Sequence, residues 1–224
     1  MVAFIKRNLK VLILMAILII IFIATLLFFT IPRVEYKYSK DYNSYKVSLV
    51  FGASSNYSIA EKQKGKEVTV IGTRAFYQKP VKKINIAKPE NIYAIEKLAF
   101  FKCTKLEEIN ITNVKYIERN AFQYCKKLKV KELNCRDIGA SAFYGCESIS
   151  ELKLNDGLES IGSLAFAKTK IKELVLPQSV KYIYNEAFYD MYNLEKISLY
   201  KDELSSESLD YIESLTDLEI IYLD

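Results

Sequence analysis

The chain of 224 residues has no histidine and no tryptophan. Without histidine there is no Ser–His or Cys–His nucleophile pair, no imidazole acid–base catalyst and no imidazole metal ligand. Only seven glycines are present, and no glycine-rich phosphate loop is formed from them. The four cysteines, Cys103, Cys125, Cys135 and Cys146, do not form the closely spaced pairs that a structural zinc site uses. The dense basic stripe of a nucleic-acid binder is also missing. These absences argue against an enzyme, a cofactor, a metal centre and a nucleic-acid partner.

Tyrosine and lysine are abundant, and the net charge is +5. The charge is uneven, with ten Lys/Arg against three Asp/Glu in residues 1–66 and one lysine against eight acids in residues 201–224. Residues 11–31, VLILMAILIIIFIATLLFFTI, carry no charge. As a helix they extend about 30 Å, the thickness of a bilayer's hydrocarbon core. Lys6, Arg7 and Lys10 precede them, and Pro32 and Arg33 follow. The alternative is a cleaved signal peptide, whose apolar core is shorter and ends in a small-x-small site. The exit Leu26-Leu27-Phe28-Phe29 has no such site, so the segment is read as an uncleaved transmembrane signal anchor. The positive-inside rule then puts residues 1–10 in the cytoplasm and the rest outside it.

A repeat dominates the remainder. Ala-Phe recurs at 75–76, 99–100, 121–122, 142–143, 165–166 and 187–188, each with an isoleucine four residues before the alanine. A second signature, apolar-x-x-apolar-x-apolar, follows most of the pairs, as in Leu106/Ile109/Ile111 and Ile171/Leu174/Leu176, and recurs at Leu218/Ile221/Leu223. Its alternating end has the period of a strand with one buried face, and Ile-x-x-x-Ala spans close to one helical turn. One strand and one return cannot bury their own apolar face, whereas stacked copies can. The third repeat is one residue short between Leu128 and Ile138 and puts Lys131 at an apolar position.

Segments such as "VTVIGTRAF", "IEKLAFFKCTKLEEINI" and "IGASAFYGCESISELKL" resemble the BspA-type, or treponemal-class, leucine-rich repeats over about residues 67–200. The resemblance implies an α/β solenoid with a parallel β-sheet on its concave face and short helical or 3-10 returns. It also implies a cell-surface protein, often an adhesin, and brings no catalytic residues. The expected organisation is a transmembrane helix at 11–31, a stalk at 32–44, a β-hairpin cap at 45–66, six repeats at 67–200 and a C-terminal cap at 201–224. That cap contains a helix at 203–215 and an edge strand flanked by Asp217, Glu219 and Asp224, charges that discourage further stacking.

Cys103, Cys125 and Cys146 each stand three residues after a repeat phenylalanine, at a slot that holds Lys79, Thr169 and Met191 elsewhere. A slot that accepts Thr and Met is read as packing rather than as a disulfide or metal ladder. Cys135 falls outside it. The candidate binding surface is the strand face, with Lys83, Asn85, Glu108, Asn110, Glu151, Lys153, Glu173, Val175, Lys196, Ser198 and Tyr200 alternating with buried positions. Tyr200 and Tyr222 are its candidate aromatic anchors. The expected function is binding of a protein or peptide ligand, or of a host surface, by a membrane-anchored repeat protein. The alternative is a scaffold for other envelope proteins.

Overall fold

A computed structural model describes the backbone of residues 2–216 and 218–224, and the side chains of residues 9, 11–27, 30–216 and 218–224. Helix α1 (Val2–Thr30) is continuous over 29 residues. It stops before Pro32, which cannot donate to it and which disfavours helical geometry at the preceding residue. The hydroxyls of Thr25 and Thr30 donate to the carbonyls of Phe22 and Leu26, at 2.8 and 2.9 Å. Among the described residues no helix is long and apolar enough to cross a membrane. The described side chains of α1 at residues 11–27 are exposed throughout. Helix α1 also extends nine residues before the expected span and leaves Ile31 outside. The side chains of Lys6, Arg7 and Lys10 lie outside the described residues.

The expected stalk is a strand. β1 (Arg33–Ser39) pairs antiparallel with β2 (Ser44–Phe51). Tyrosines that read as polar provide apolar faces here: Val34 and Tyr36 pack on the core, and the Arg33 guanidinium lies 4.1 Å from the Phe51 ring centroid. The cap hairpin is therefore formed by residues 33–51, not 45–66. β3 (Asn56–Ile59), β4 (Lys62–Gln63) and β5 (Lys66–Ile71) follow, and β2 also pairs in parallel with β5.

Each repeat contributes to three ladders. The continuous one runs from β1, β2 and β5 through Ala94–Ile95, Tyr116–Ile117, Asp137–Ile138, Ser160–Ile161 and Tyr182–Ile183. Its parallel register aligns the six repeat isoleucines in one buried column. The strands expected to form the main sheet make an interrupted one. β3 pairs with Lys83–Ile86 and that with Glu108–Ile109; Glu132–Leu133 pairs with Lys153–Leu154; Glu173–Val175, Lys196–Leu199 and Glu219–Tyr222 form the last piece. The first break falls at the short third repeat, where Lys131 stays exposed and Val130 turns inward instead.

The returns are turns rather than the expected helical segments. Each holds two residues of positive φ, four apart: Arg74 and Gln78, Leu98 and Lys102, Asn120 and Tyr124, Ser141 and Gly145, Leu164 and Lys168, Glu186 and Asp190. Only one of the twelve is glycine, so the left-handed conformation is held against its usual steric cost. The hydrogen bonds show what holds it. The Gln78, Lys102 and Tyr124 amides donate to the Phe101, Gln123 and Tyr144 carbonyls of the next repeat at 2.8 Å each, and the Phe76, Phe100 and Phe122 amides between them do the same. This is the third ladder, and it satisfies backbone that a loop would leave to water.

The six repeat phenylalanines fill the core as one stack. Phe100, Phe122 and Phe143 are fully buried, with centroids 4.9 and 5.3 Å apart and planes within 7°. A tyrosine closes each end. Tyr57 stands edge-on to Phe76 and donates to the Gly52 carbonyl at 3.0 Å, and Tyr211 lies over Phe188 and accepts from its amide at 3.0 Å. Tyr211 belongs to α2 (Ser206–Glu213), shorter than the expected 203–215 and capped by Ser205, whose hydroxyl accepts from the Ser208 amide. The last strand is one residue out of the expected register, with Ile220 rather than Ile221 opposite buried Ile197. A slip of one residue exchanges the two faces of a strand. Glu219 and Asp224 are exposed beside it, and Asp217 lies outside the described residues.

Candidate functional site

The interrupted sheet divides the predicted face into three groups. Lys83, Asn85, Glu108 and Asn110 lie together, then Glu151 and Lys153, and then Glu173, Val175, Lys196, Ser198 and Tyr200. The first group is largely self-satisfied. Lys83 pairs with Glu108, whose carboxyl is held below the usual range by that hydrogen bond and charge. Asn110 clasps the Ile86 backbone, its amide nitrogen donating to the carbonyl and its oxygen accepting from the N–H, both at 3.2 Å. Asn110 therefore works as a ladder rung.

The pattern continues along the file. Lys153 pairs with Glu132 at 3.5 Å, and Lys196 with Glu219 at 3.7 Å. Asn155 donates to Glu132 at 2.8 Å and leads the effects that lower that carboxyl's pKa. Glu151, Lys153 and Glu173, with Lys131 and Lys172, line a shallow depression of about 670 Å³. Ser198 is only 9% exposed and so does not belong to the surface. Val175 is open to solvent, while Tyr200 is half-buried. Charges alternate in sign along this face and neutralise one another, leaving little net field to steer a charged partner.

Two aromatic surfaces lie elsewhere. On the return edge, Tyr77 stacks on Phe101 at 5.1 Å, Phe101 meets Tyr124 at 6.1 Å, and Tyr124 meets Tyr144 at 5.3 Å. Cations lie over these rings: Arg74 over Tyr77, Lys102 over both Phe101 and Tyr124, and Lys168 over Tyr144, all within 5.8 Å. Lys168 is held charged to higher pH, first by Tyr144 and then by Asp190, 3.5 Å away. Gly145, buried and at φ +69°, makes room for this rail, since a Cβ there would come within 2.9 Å of the Tyr124 ring. The signal was present in the sequence: four of the six residues following Ala-Phe are aromatic (Tyr77, Phe101, Tyr144, Tyr189). On the continuous sheet, Tyr42, Tyr93 and Tyr116 form a second cluster at 5.7 and 5.1 Å, with Lys115 over Tyr93 and Tyr116. Anchors of this kind are richer than Tyr200 and Tyr222, and Tyr222 is engaged with Glu213 and Lys201.

All four cysteines are free and buried. The thiols of Cys103, Cys125 and Cys146 donate to the Phe76, Phe100 and Phe122 carbonyls of the preceding repeat, at 2.9, 3.1 and 3.2 Å. Cys135 stands three residues before Ile138, in the slot that Val68, Ile92, Val114, Leu158 and Val180 fill elsewhere, all buried. It is a core residue of a second column. Burial pushes the Cys135 thiol up to about 12 and raises those of Cys125 and Cys146, so nucleophilic thiolate is suppressed. Among the described residues no cluster of acidic or cysteine side chains could hold a metal ion.

Comparison with known proteins agrees with this architecture. No curated protein matches the chain. The fold is similar to a leucine-rich cell surface protein from Faecalibacterium prausnitzii, at 20% identity and a TM-score of 0.60, over 75% of this chain and 54% of that one. It is also similar to the T. pallidum leucine-rich repeat protein, at 24% identity and a TM-score of 0.54, over 74% and 68%. A third similarity is to the pneumococcal vaccine antigen PcpA, at 20% identity and a TM-score of 0.54, over 84% and 46%. The chain thus spans about half the length of the first and the third. A family model, the BspA type leucine-rich repeat region, matches residues 50–136 and 129–222 in six copies. With that match over most of the chain, and with six stacked repeats in register, the protein belongs to the BspA-type leucine-rich repeat family.

Proposed function

We propose that the protein is a membrane-anchored surface module that binds a protein or peptide ligand, in the manner of an adhesin. The anchor reading is supported by the uncharged segment 11–31 behind Lys6, Arg7 and Lys10, with the N-terminus cytoplasmic and the repeats outside. The binding reading is supported by a repeat architecture of the kind that extended binding surfaces use. The observation that carries it is the rail on the return edge: rings of Tyr77, Phe101, Tyr124 and Tyr144 interleaved with Arg74, Lys102 and Lys168. Aromatic rings and arginine are the residue types that dominate interface energies. The strand face offers mostly paired charges instead.

The test is a screen of the full chain in nanodiscs against extracellular proteins and cell surfaces, followed by two variants. Combined Phe101→Ala and Tyr124→Ala weakens binding at least tenfold, equivalent to ~1.4 kcal/mol. Combined Glu108→Lys, Lys153→Glu and Glu173→Lys leaves it nearly unchanged. The opposite ranking would move the ligand to the strand face. Cross-links only to neighbours in the same membrane, with no ligand found, would favour the scaffold.

A further inference from the structure

The first repeat differs from its successors at one buried-facing slot. Where later repeats place Cys103, Cys125, Cys146, Thr169 and Met191, it places Lys79. The Lys79 ammonium donates to the Gly52 carbonyl at 3.4 Å, a neutral partner, and among the described residues neither Lys79 nor Arg74 forms an ion pair. Gly52 is tucked against the end of α1: a Cβ there would lie 2.6 Å from the Thr30 carbonyl oxygen and 2.7 Å from the Pro32 nitrogen. Leu49, Arg74, Ala75, Tyr77 and Lys79 line an open depression of about 460 Å³ at this point. Arg74 is exposed, with its guanidinium 5.7 Å from the Tyr77 centroid, and Leu49 is 42% exposed on the same rim.

We infer that this depression seats the anionic headgroup of a membrane phospholipid, which lays the first repeat against the bilayer surface. The inference rests on the reading of α1 as a membrane anchor. If α1 ends at the hydrocarbon boundary, a group beside Thr30 and Pro32 falls within the headgroup layer, about 5–7 Å deep on each side. Two cations without carboxylate partners match a phosphodiester, Arg74 in the planar, two-pronged manner of guanidinium and Lys79 as a point charge. Tyr77 has the amphipathic ring that sits well at that depth, and Leu49 faces the acyl boundary.

The experiment uses the full chain in nanodiscs of phosphatidylcholine alone or mixed with phosphatidylglycerol. Lysines are labelled with a water-soluble acylating reagent and counted by mass spectrometry. Lys79 labelling is expected to fall about fivefold in the anionic discs, the effect of roughly one basic residue held at a charged surface, while Lys153 labelling is unchanged. Soluble glycerophosphate added to the neutral discs gives no protection. With Arg74→Glu the fivefold difference is lost. Full incorporation with equal Lys79 labelling in both discs would overturn the inference alone. Protection by soluble glycerophosphate would assign the depression to a free anion and overturn it too. Failure to incorporate into either disc would overturn the anchor reading and this inference together.

Discussion

Phe122→Ala tests whether the stacked ring column, and not merely its burial, stabilises the solenoid. Phe122 is fully buried, and its two ring partners lie 4.9 and 5.3 Å away with planes within 7°. Truncating a core phenylalanine costs about 3–5 kcal/mol, and each well-placed ring pair adds roughly 0.5–1.5 kcal/mol beyond area. With two close pairs lost, Phe122→Ala is placed at the upper end, about 5 kcal/mol. Phe188 is the control. It is 4% exposed, and its partners Phe166 and Tyr211 are 6.4 and 6.2 Å away, near the limit of ring–ring contact. Phe188→Ala is expected to cost about 3 kcal/mol. The chain has no tryptophan, so urea unfolding is followed by the emission of its 17 tyrosines and by circular dichroism. Equal costs at the two positions, or a larger one at Phe188, would refute the contribution of the stack.

Three further outcomes follow from particular contacts. Burial alone would raise the Glu96 pKa, but Lys46 at 2.9 Å and the Thr73 hydroxyl and amide hold it below the ordinary value. Its stabilising effect is complete above the unfolded-state glutamate pKa and is lost as pH falls through the lower folded value; Glu96→Gln therefore lowers stability by about 1–2 kcal/mol at neutral pH, and the gap to the parent closes on acidification in melts taken from pH 7 to pH 3. Gly139→Ala puts a Cβ 2.6 Å from the Arg119 nitrogen and 2.8 Å from the Glu118 carbonyl carbon, backbone that cannot swing aside, and a loss of about 2–3 kcal/mol is expected in the same urea assay. An aromatic disulfide reagent should titrate none of the four thiols in the native chain and all four in denaturant, and fast native labelling of Cys135 would contradict its place in the core.

The repeat unit and most of its core were legible in the sequence, because isoleucine and Ala-Phe recur at nearly constant spacing and each recurrence is buried. The identity of the continuous sheet was not. Its repeat strands are two residues long, as at Tyr116–Ile117, too short for an alternation to show. The left-handed turns were hidden because nine of the twelve positions that adopt them hold Arg, Gln, Leu, Lys, Tyr, Ser or Glu, residues that seldom mark positive φ. The Lys131 anomaly was visible, but which neighbour would turn inward was decided by packing, and Val130 did so. Cys135 became intelligible only when counted back from Ile138 rather than forward from Phe122. Of the strand-face residues, Asn110, Glu151 and Tyr200 fall just beyond the strands and Ser198 is on one but buried, and the mutual pairing of the others needed the stacking register.

The third ladder gives the solenoid a direction. Each return hands its amide hydrogens to the repeat after it, so the final repeat ends with donors that no further repeat meets. The C-terminal cap receives one of them with a side chain, the Tyr211 hydroxyl taking the Phe188 amide, and the Ser208 hydroxyl likewise takes the Ile183 amide at the end of the continuous sheet. Tyr211 and Ser208 thus imitate one more turn of backbone. Nothing in that imitation records how many turns precede it. Duplicating or deleting a whole repeat between the two caps would leave both ends chemically intact, whereas exchange out of phase by even one residue would misalign every ladder at once. Length is the property this architecture can vary freely, and the phase of the repeat is the one it cannot.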